Sequence, residues 1–579
     1  MTLISAPTLA IHSSGPTMPS MSAKTSQAAD TGCSRDLGAS WRYWLCATLG
    51  GVLIATLSLA MFGVSGRDDP YITFSAAEAI RDSAALVNIN GDPIEQSTTL
   101  LFTLLLVLLS AILPVPVPEL GWFLSLSALV GVVITAFALL RRSLPPIRAL
   151  IGSWLVGLTP PLVYWSTSGA EQSLSILLAL LSIMLVTKPS VPGVHVWLAL
   201  SAAVFTLLTF LSRPDVGLAV TGATTLLFIG RLLVGRRRGQ LLLVAIIVGQ
   251  IGLIGLLTIT RLSVTGSPLP QPLNAKVGGS LIEQGLRGLD YLTSNAFSWW
   301  FIAVVISGVC ATWVMRRHAW SSTQVLLLLV ALILLAGGVF SGGDWMELGR
   351  FFAAPATMLT VLTVTLIGSL SSRFFAVFSG VIAVVQVATM ALWSQAPATF
   401  ESRGSSLVSR WTLNTTGSSG IPTELDTPFN RWNADHLGDA YFLGAATPVI
   451  ADILAKYPDR TLTITSGQGG MIPYHLQREF GDRIRFIDRF QLMTDDFVDC
   501  GLTPGPYGAF ISWNQWADLA GECAPALPDI AFSIGPIPYD DLGDDYDVVV
   551  HVEGAAERNG QSLPQEQWLA ARKDLLTAE

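Results

Sequence analysis

Between residues 41 and 394 the chain alternates long apolar runs with short polar segments. Runs near the ~20 residues needed to cross a bilayer core lie at about 41–64, 119–140, 146–165, 172–188, 193–211, 216–234, 239–260, 296–315, 322–341, 350–370 and 374–394. Each predicts a helix, because lipid offers no partner to a backbone N–H or C=O. Leu100–Leu113 is shorter and ends in Pro114-Val-Pro-Val-Pro118. Past residue 395 the pattern changes. Thr461–Thr465, Arg483–Ile487, Asp529–Ser533 and Asp547–His551 read as buried strands, with helices predicted around 446–456 and 564–577. That alternation predicts a small α/β domain over 395–579. Residues 1–40, rich in Ser, Thr, Ala and Pro without periodicity, read as a disordered cytoplasmic arm.

The run Leu100–Leu113 decides the topology. If 97–116 spans, Arg141, Arg142, Arg148 and most later basic clusters fall outside. If it dips in from the outer side and returns, those arginines fall inside, together with Lys188, Arg231, Arg236–Arg238, Arg316, Arg317 and Arg373. The second threading satisfies the positive-inside rule at five loops at once. It predicts eleven spans over 41–394, a first outer loop at 65–118, a cytoplasmic N-terminus and an extracytoplasmic C-terminal domain. The run Trp41–Val64 is too long and too late for a cleaved signal, so it is expected to remain as an anchor.

Composition agrees with this picture. The 579 residues are 51% hydrophobic and 13% charged, where soluble domains carry about 25% charge; mean hydropathy is +0.55. The net charge of −8 names no partner, but the placement of charge does: conspicuous polar motifs fall in the outer segments, while the inner loops are short and basic. No nucleic-acid partner is expected. None of the five cysteines forms a CxxC pair and no histidines repeat at i, i+4, so no built-in zinc site is expected. Cys500 and Cys523 are candidates for a disulfide in an oxidising compartment, the alternative being two free thiols.

The outer motifs carry the candidate chemistry. Arg67-Asp68-Asp69-Pro70-Tyr71-Ile72-Thr73-Phe74 follows the first span. Paired carboxylates at a membrane surface suit a general base or ligands for a hard divalent cation. They also suit the start of a helix. Glu95 stands just before the apolar run at 100–113, where a carboxylate faces either a polar cavity or the interface. Ser166-Thr-Ser-Gly169-Ala-Glu171, Ser212-Arg213-Pro214-Asp215 and Ser341-Gly-Gly-Asp344-Trp345-Met-Glu347-Leu-Gly-Arg350 sit at the ends of spans. Singly, each reads as an ordinary helix-end anchor. Together they set carboxylates and arginines at one membrane level, and the arginine fork matches phosphate oxygens in two bonds. The Pro-rich loop from Arg261 to Lys276 reads as a cover or a connector.

These segments, in this order, resemble the GT-C class of membrane glycosyltransferases, and within it the mycobacterial terminal arabinofuranosyltransferases of the AftB group. Members of that group commonly read DDAYIT(F), a VFN-G-VEG-T stretch, STSG-E, RP(D/E), LPN-YAK and GGDWM–RF. This chain matches with Asp68–Phe74, with Leu86–Asn88 and Ile94–Thr98, with Ser166–Glu171, with Arg213–Asp215, with Leu269–Lys276, and with Gly342–Met346 and Arg350–Phe352. Gly469-Gly-Met-Ile-Pro-Tyr474 is similar to the group's D-GAIPY segment. The chain departs from the pattern at Pro70, at Ile94-Glu95-Gln96 and in a Pro-Gln-Pro insertion before Asn274.

The resemblance implies a helical polytopic GT-C-like domain with juxtamembrane helices in the first outer loop. It implies transfer of a sugar, arabinofuranose as first choice, from a polyprenyl-phosphate donor to a glycan or glycoprotein acceptor on the outer face of a bacterial inner membrane. Asp68 or Asp69 is the expected base. Arg213, Arg350 and Lys276 are expected at the donor phosphate. Tyr71, Glu95, Glu171, Asp215, Asn274, Asp344 and Trp345 are expected at the sugars. No cofactor is required; a divalent cation, if used, would sit at Asp68 and Asp69. A transporter or flippase of an isoprenoid-linked sugar, or a non-catalytic scaffold, would need similar charges.

Overall fold

The computed structural model describes residues 33–63, 68–188, 195–235, 240–275, 280–296, 298–315, 320–343, 347–395, 434–466, 469–501, 511–534, 545–558 and 561–577. The arm expected at 1–40 lies outside the described residues up to position 32, and Lys276, Asp344 and Trp345 lie outside them as well.

The first part is a helical bundle. In chain order it contains α1 (Cys33–Phe62), α2 (Asp68–Ser83), α3 (Leu100–Ile112), α4 (Val117–Leu140), α5 (Pro146–Gly157), α6 (Pro160–Ser166), α7 (Gln172–Val186) and α8 (His195–Ser212). There follow α9 (Pro214–Leu233), α10 (Gln240–Thr265), α11 (Gln271–Asn274), α12 (Leu281–Ala296), α13 (Trp299–Val314), α14 (Ser322–Phe340), α15 (Ala353–Ile367) and α16 (Ser372–Gln395). Prolines open α4, α5, α6 and α9, where the missing N–H costs nothing. Pro160 and Pro161 also break the hydrogen-bond ladder running on from α5, and α6 turns away by 62°.

Every residue of α15 is buried except Leu359, which is half-buried, so α15 is the axis of the bundle. It packs against α5, α6, α7, α13, α14 and α16. The outward faces are apolar: Leu49, Leu53 and Leu57 on α1, Val248, Ile251 and Ile259 on α10, and Val377, Val381 and Val384 on α16 are all exposed. In water such faces would drive aggregation; in lipid they are the solvated side.

Among the described residues, six helices are long and apolar enough to cross a membrane: Trp41–Phe62, Val117–Leu140, Pro214–Leu233, Leu243–Thr265, Ser322–Phe340 and Ser372–Ser394. The bent pair α5–α6 makes a seventh if it counts as one span. The other apolar helices are shorter, α3 among them at 13 residues, which is about 20 Å against a core of about 30 Å. Length therefore establishes a multi-pass helical protein, and the expected eleven spans go beyond the six that it supports.

The described residues of the tail hold a five-stranded sheet in the order β2-β1-β3-β5-β4, with β1 (Leu462–Ser466), β2 (Ile484–Asp488), β3 (Ile530–Ile534), β4 (Tyr546–Arg558) and β5 (Gln561–Arg572). The β2-β1-β3 part is parallel and β3-β5-β4 is antiparallel. The helices α17 (Ala434–Lys456), α18 (Met471–Phe480), α19 (Trp513–Leu519) and α20 (Lys573–Leu576) accompany it. Ile450 and Ile453 of α17 pack with Ile464, Phe532 and Leu569. Trp513 and Trp516 pack with Ile487, Ala531 and Trp568 in a second cluster. Cys500 and Cys523 are joined, their Cα atoms 5.1 Å apart.

The helix predicted over 564–577 is instead strand β5 with a single short helix after it. Its composition favours helix, but the segment lies between β3 and β4 and pairs with both. Tertiary pairing overrides local propensity there.

Candidate functional site

Asp68 and Asp69 open α2, as expected of carboxylates at a helix start, yet they face different partners. Asp68 is 7% exposed and is held by the tail. Its Oδ1 accepts from the Met471 N–H at 2.7 Å and from the Gly470 N–H at 3.0 Å, and Oδ2 shares the Gly470 N–H at 3.1 Å. Those amides are the first donors of α18, an electropositive helix end suited to an anion. Gly470 is required: a Cβ there would collide with the backbone carbonyl of Asp68. Burial pushes the Asp68 carboxyl up to about 7; the Met471 and Gly470 amides pull it back, while Asp69 and Asp488 add to the rise.

Further contacts fix this junction. Tyr71 lies 5.2 Å from the Tyr474 ring and 5.6 Å from His475. Tyr474 donates its hydroxyl to Glu78 at 3.0 Å. Asn90 donates to the Phe486 carbonyl at 2.7 Å and accepts from the Phe486 N–H at 2.9 Å. It thus pairs with the edge strand β2 as a neighbouring strand would. Asn88 donates to the Met493 carbonyl at 3.1 Å. The buried Asp488 closes β2 and accepts from the N–H groups of Phe490, Leu492 and Met493.

Asp69 pairs with Arg350. The Arg350 guanidinium also lies 5.8 Å from the Trp165 ring and 5.4 Å from Phe351. Arg213 sits over the same Phe351 ring at 5.0 Å. Its Nε and Nη2 donate to the two Asp215 oxygens at 3.0 and 2.9 Å, and Nη1 donates to Glu171 at 3.2 Å. Asp69, Glu171, Arg213, Asp215 and Arg350 therefore form one network around Phe351. The buried Trp165 indole N–H has no hydrogen-bond partner among the described residues. Two local conformations shape the network. Gly169, at φ 75°, makes the turn that leads to Glu171, and Leu348 adopts a left-handed φ of 53° two residues before Arg350.

Other expected residues have separate places. Glu95 is buried and closed by Arg261, whose Nε and Nη2 donate at 2.6 and 2.8 Å. The Glu95 carbonyl accepts from the Gln271 N–H at 2.9 Å, and the Gln271 side chain donates to the Gln491 carbonyl of the tail at 3.1 Å. Asn274 turns into its own loop, donating to Ser267 Oγ at 2.8 Å. Among the described residues no group of three or more His, Cys, Asp or Glu side chains gathers in a way that could hold a metal ion. The sequence reading missed Arg261 as a partner, Phe351 as the shared platform, Asp488, and the amides of Gly470 and Met471. A Gly-Gly pair between a strand and a helix was the available signal for the last of these.

No family model matches the sequence, and no curated protein matches it. Solved structures do. ArnT from Cupriavidus metallidurans bound to undecaprenyl phosphate superposes with a TM-score of 0.54, at 13% identity, over 95% of this chain and 100% of that one. The same protein in the apo state gives 0.51, at 14% identity, over 93% and 100%. At such identity the likeness is one of fold alone: this chain, a helical bundle followed by a sheet-containing tail, shares the fold of ArnT.

Proposed function

We propose that the chain is an inverting glycosyltransferase that takes a sugar from a polyprenyl-phosphate donor at the outer face of a bacterial inner membrane. The fold, the ordered motifs and the likeness to ArnT bound to undecaprenyl phosphate support this reading. The observation that carries it is the buried Asp68 carboxyl beside the Asp69–Arg350 pair. A base raised to about 7 can hold or release a proton near neutral pH.

In this reading Asp68 removes the proton from an acceptor hydroxyl as that oxygen attacks the anomeric carbon. The bond from that carbon to the donor phosphate breaks, and the phosphate leaves with the electron pair. Arg213 and Arg350 face the developing charge. Arg213 uses three of its five N–H donors on Asp215 and Glu171, so two remain for phosphate oxygens. Asp69 positions Arg350 and balances its charge; a divalent cation at the carboxylate pair is the alternative to that balance. Glu171, Asp215 and Tyr71, with Asn274, Asp344 and Trp345, are proposed for sugar contacts, and Lys276 for the phosphate. Glu95 serves through Arg261 to shape the loop. The preferred sugar is arabinofuranose and the acceptor a glycan or glycoprotein, on the motif resemblance alone.

The test is transfer of radiolabelled sugar from decaprenyl-phospho-arabinose by purified protein, beside Asp68→Ala and Asp69→Ala variants. Full activity in both variants would overturn the assignment. Lipid movement across liposomes with no transfer from any polyprenyl-phosphate donor would favour a flippase.

A further inference from the structure

The amino end of α18 is a strand-to-helix turn of the parallel part of the tail sheet. In sheets of this kind that turn commonly cradles an anionic ligand. Here a carboxylate from the bundle part of the chain occupies it. Asp68 takes the Gly470 and Met471 amides, and the missing Cβ of Gly470 permits the approach. The seating is over-determined. Glu78 meets Tyr474 one turn further along α18, Asn90 pairs with β2, and Gln271 reaches the Gln491 carbonyl. These contacts come from α2, from the loop after it and from α11, so three segments of the bundle part hold the tail beside the carboxylate.

We propose that the tail completes the reaction centre: the Gly470 and Met471 amides hold Asp68 Oδ1 and thereby present Oδ2 as the proton-accepting oxygen, with Gly470 as the positioning residue. This rests on the function proposed above. It makes the tail a working part of the site rather than an appendage that recruits acceptors. Oδ1 receives two N–H bonds, and Oδ2 shares only the longer bond from Gly470. A carboxylate has about four acceptor positions, so Oδ2 keeps room for an incoming hydroxyl. Holding one oxygen restricts rotation about the Cβ–Cγ bond, and that orientation would otherwise have to be fixed in each turnover.

Met471 is the first helical residue of α18, a position where proline is well tolerated. Met471→Pro therefore deletes the shorter N–H bond without removing a bond of the helix's own ladder. Met471→Ala removes the same buried side chain but keeps the N–H, and serves as the comparator. In full-length protein in nanodiscs, Met471→Pro should turn over about 10- to 100-fold more slowly than Met471→Ala, with the donor KM of the two alike. Gly470→Ala should fall with the proline variant. Equal kcat values for Met471→Pro and Met471→Ala would overturn the positioning role.

Hydrogen exchange separates this from the proposed function. Asp68→Ala should speed exchange of the amides at 470 and 471 by about tenfold or more, while exchange in β3 stays as in the wild type. Unchanged protection at 470 and 471 would overturn the grip itself. Faster exchange in Asp68→Ala, beside a wild type that transfers no sugar from any polyprenyl-phosphate donor, would uphold the grip and overturn the transferase reading and the positioning role with it.

Discussion

Replacing Asp68 by asparagine should abolish transfer and stabilise the protein, and the second effect has a calculable size. The carboxyl is buried and raised from 3.8 to about 7, with desolvation as the largest cause. Each tenfold change in proton affinity is about 1.36 kcal/mol, so keeping Asp68 ionised in the folded state costs about 4 kcal/mol. The sign follows from the direction. Because the folded carboxyl binds its proton more tightly than the unfolded one, Asp68 costs nothing below about pH 4. Its penalty grows through the interval up to about pH 7 and is complete above it. Asparagine carries no charge and keeps one oxygen for the Met471 and Gly470 amides, so it stands in for the protonated carboxyl; the pull of those amides on the charged form is already contained in the value of about 7. The net expectation is about 4 kcal/mol of added stability at pH 8, shrinking toward zero near pH 4. Thermal unfolding followed by intrinsic tryptophan fluorescence at several pH values measures it, since Trp513, Trp516 and Trp568 lie in the tail core. A variant no more stable than wild type at pH 8, or an advantage that does not change with pH, would refute the argument that burial sets the Asp68 carboxyl.

Other outcomes follow from the same geometry. If Asp68 is the base, kcat/KM of the wild type should fall about tenfold per pH unit below about pH 7, and a flat profile from pH 5.5 to 8 would exclude it. Arg261→Met or Glu95→Leu alone leaves a buried charge unpaired and should cost about 3–5 kcal/mol by chemical denaturation, whereas the double variant should recover most of that loss. Arg213→Lys cannot reproduce the forked contact with Asp215 and should raise the donor KM more than it lowers kcat, read from steady-state transfer assays. Cys500→Ser with Cys523→Ser opens a link of sequence separation 23 and should lower tail stability by about 3 kcal/mol, with helicity of the bundle unchanged by circular dichroism.

The apolar runs alone determined that this is a helical multi-pass chain with an α/β tail, because a bilayer leaves the backbone no other arrangement and because burial writes its period into the residues. Ordered motifs determined which polar residues to watch, and Asp69, Glu171, Arg213, Asp215 and Arg350 do meet in one network. Four of the tail's strands were legible as short buried runs. Strand β5 was not, since its residues favour helix and only its place between β3 and β4 makes it extended. The pairing of Glu95 with Arg261 spans 166 positions and leaves no periodic trace. The grip on Asp68 spans 402 positions and is made by backbone amides, which every residue but proline possesses and no side-chain pattern advertises. Sequence therefore named the carboxylate pair Asp68 and Asp69 as the candidate centre and left the two undistinguished. Only the folding of the tail back onto the start of α2 decided which carboxylate is buried, which oxygen is held, and how tightly its proton is bound.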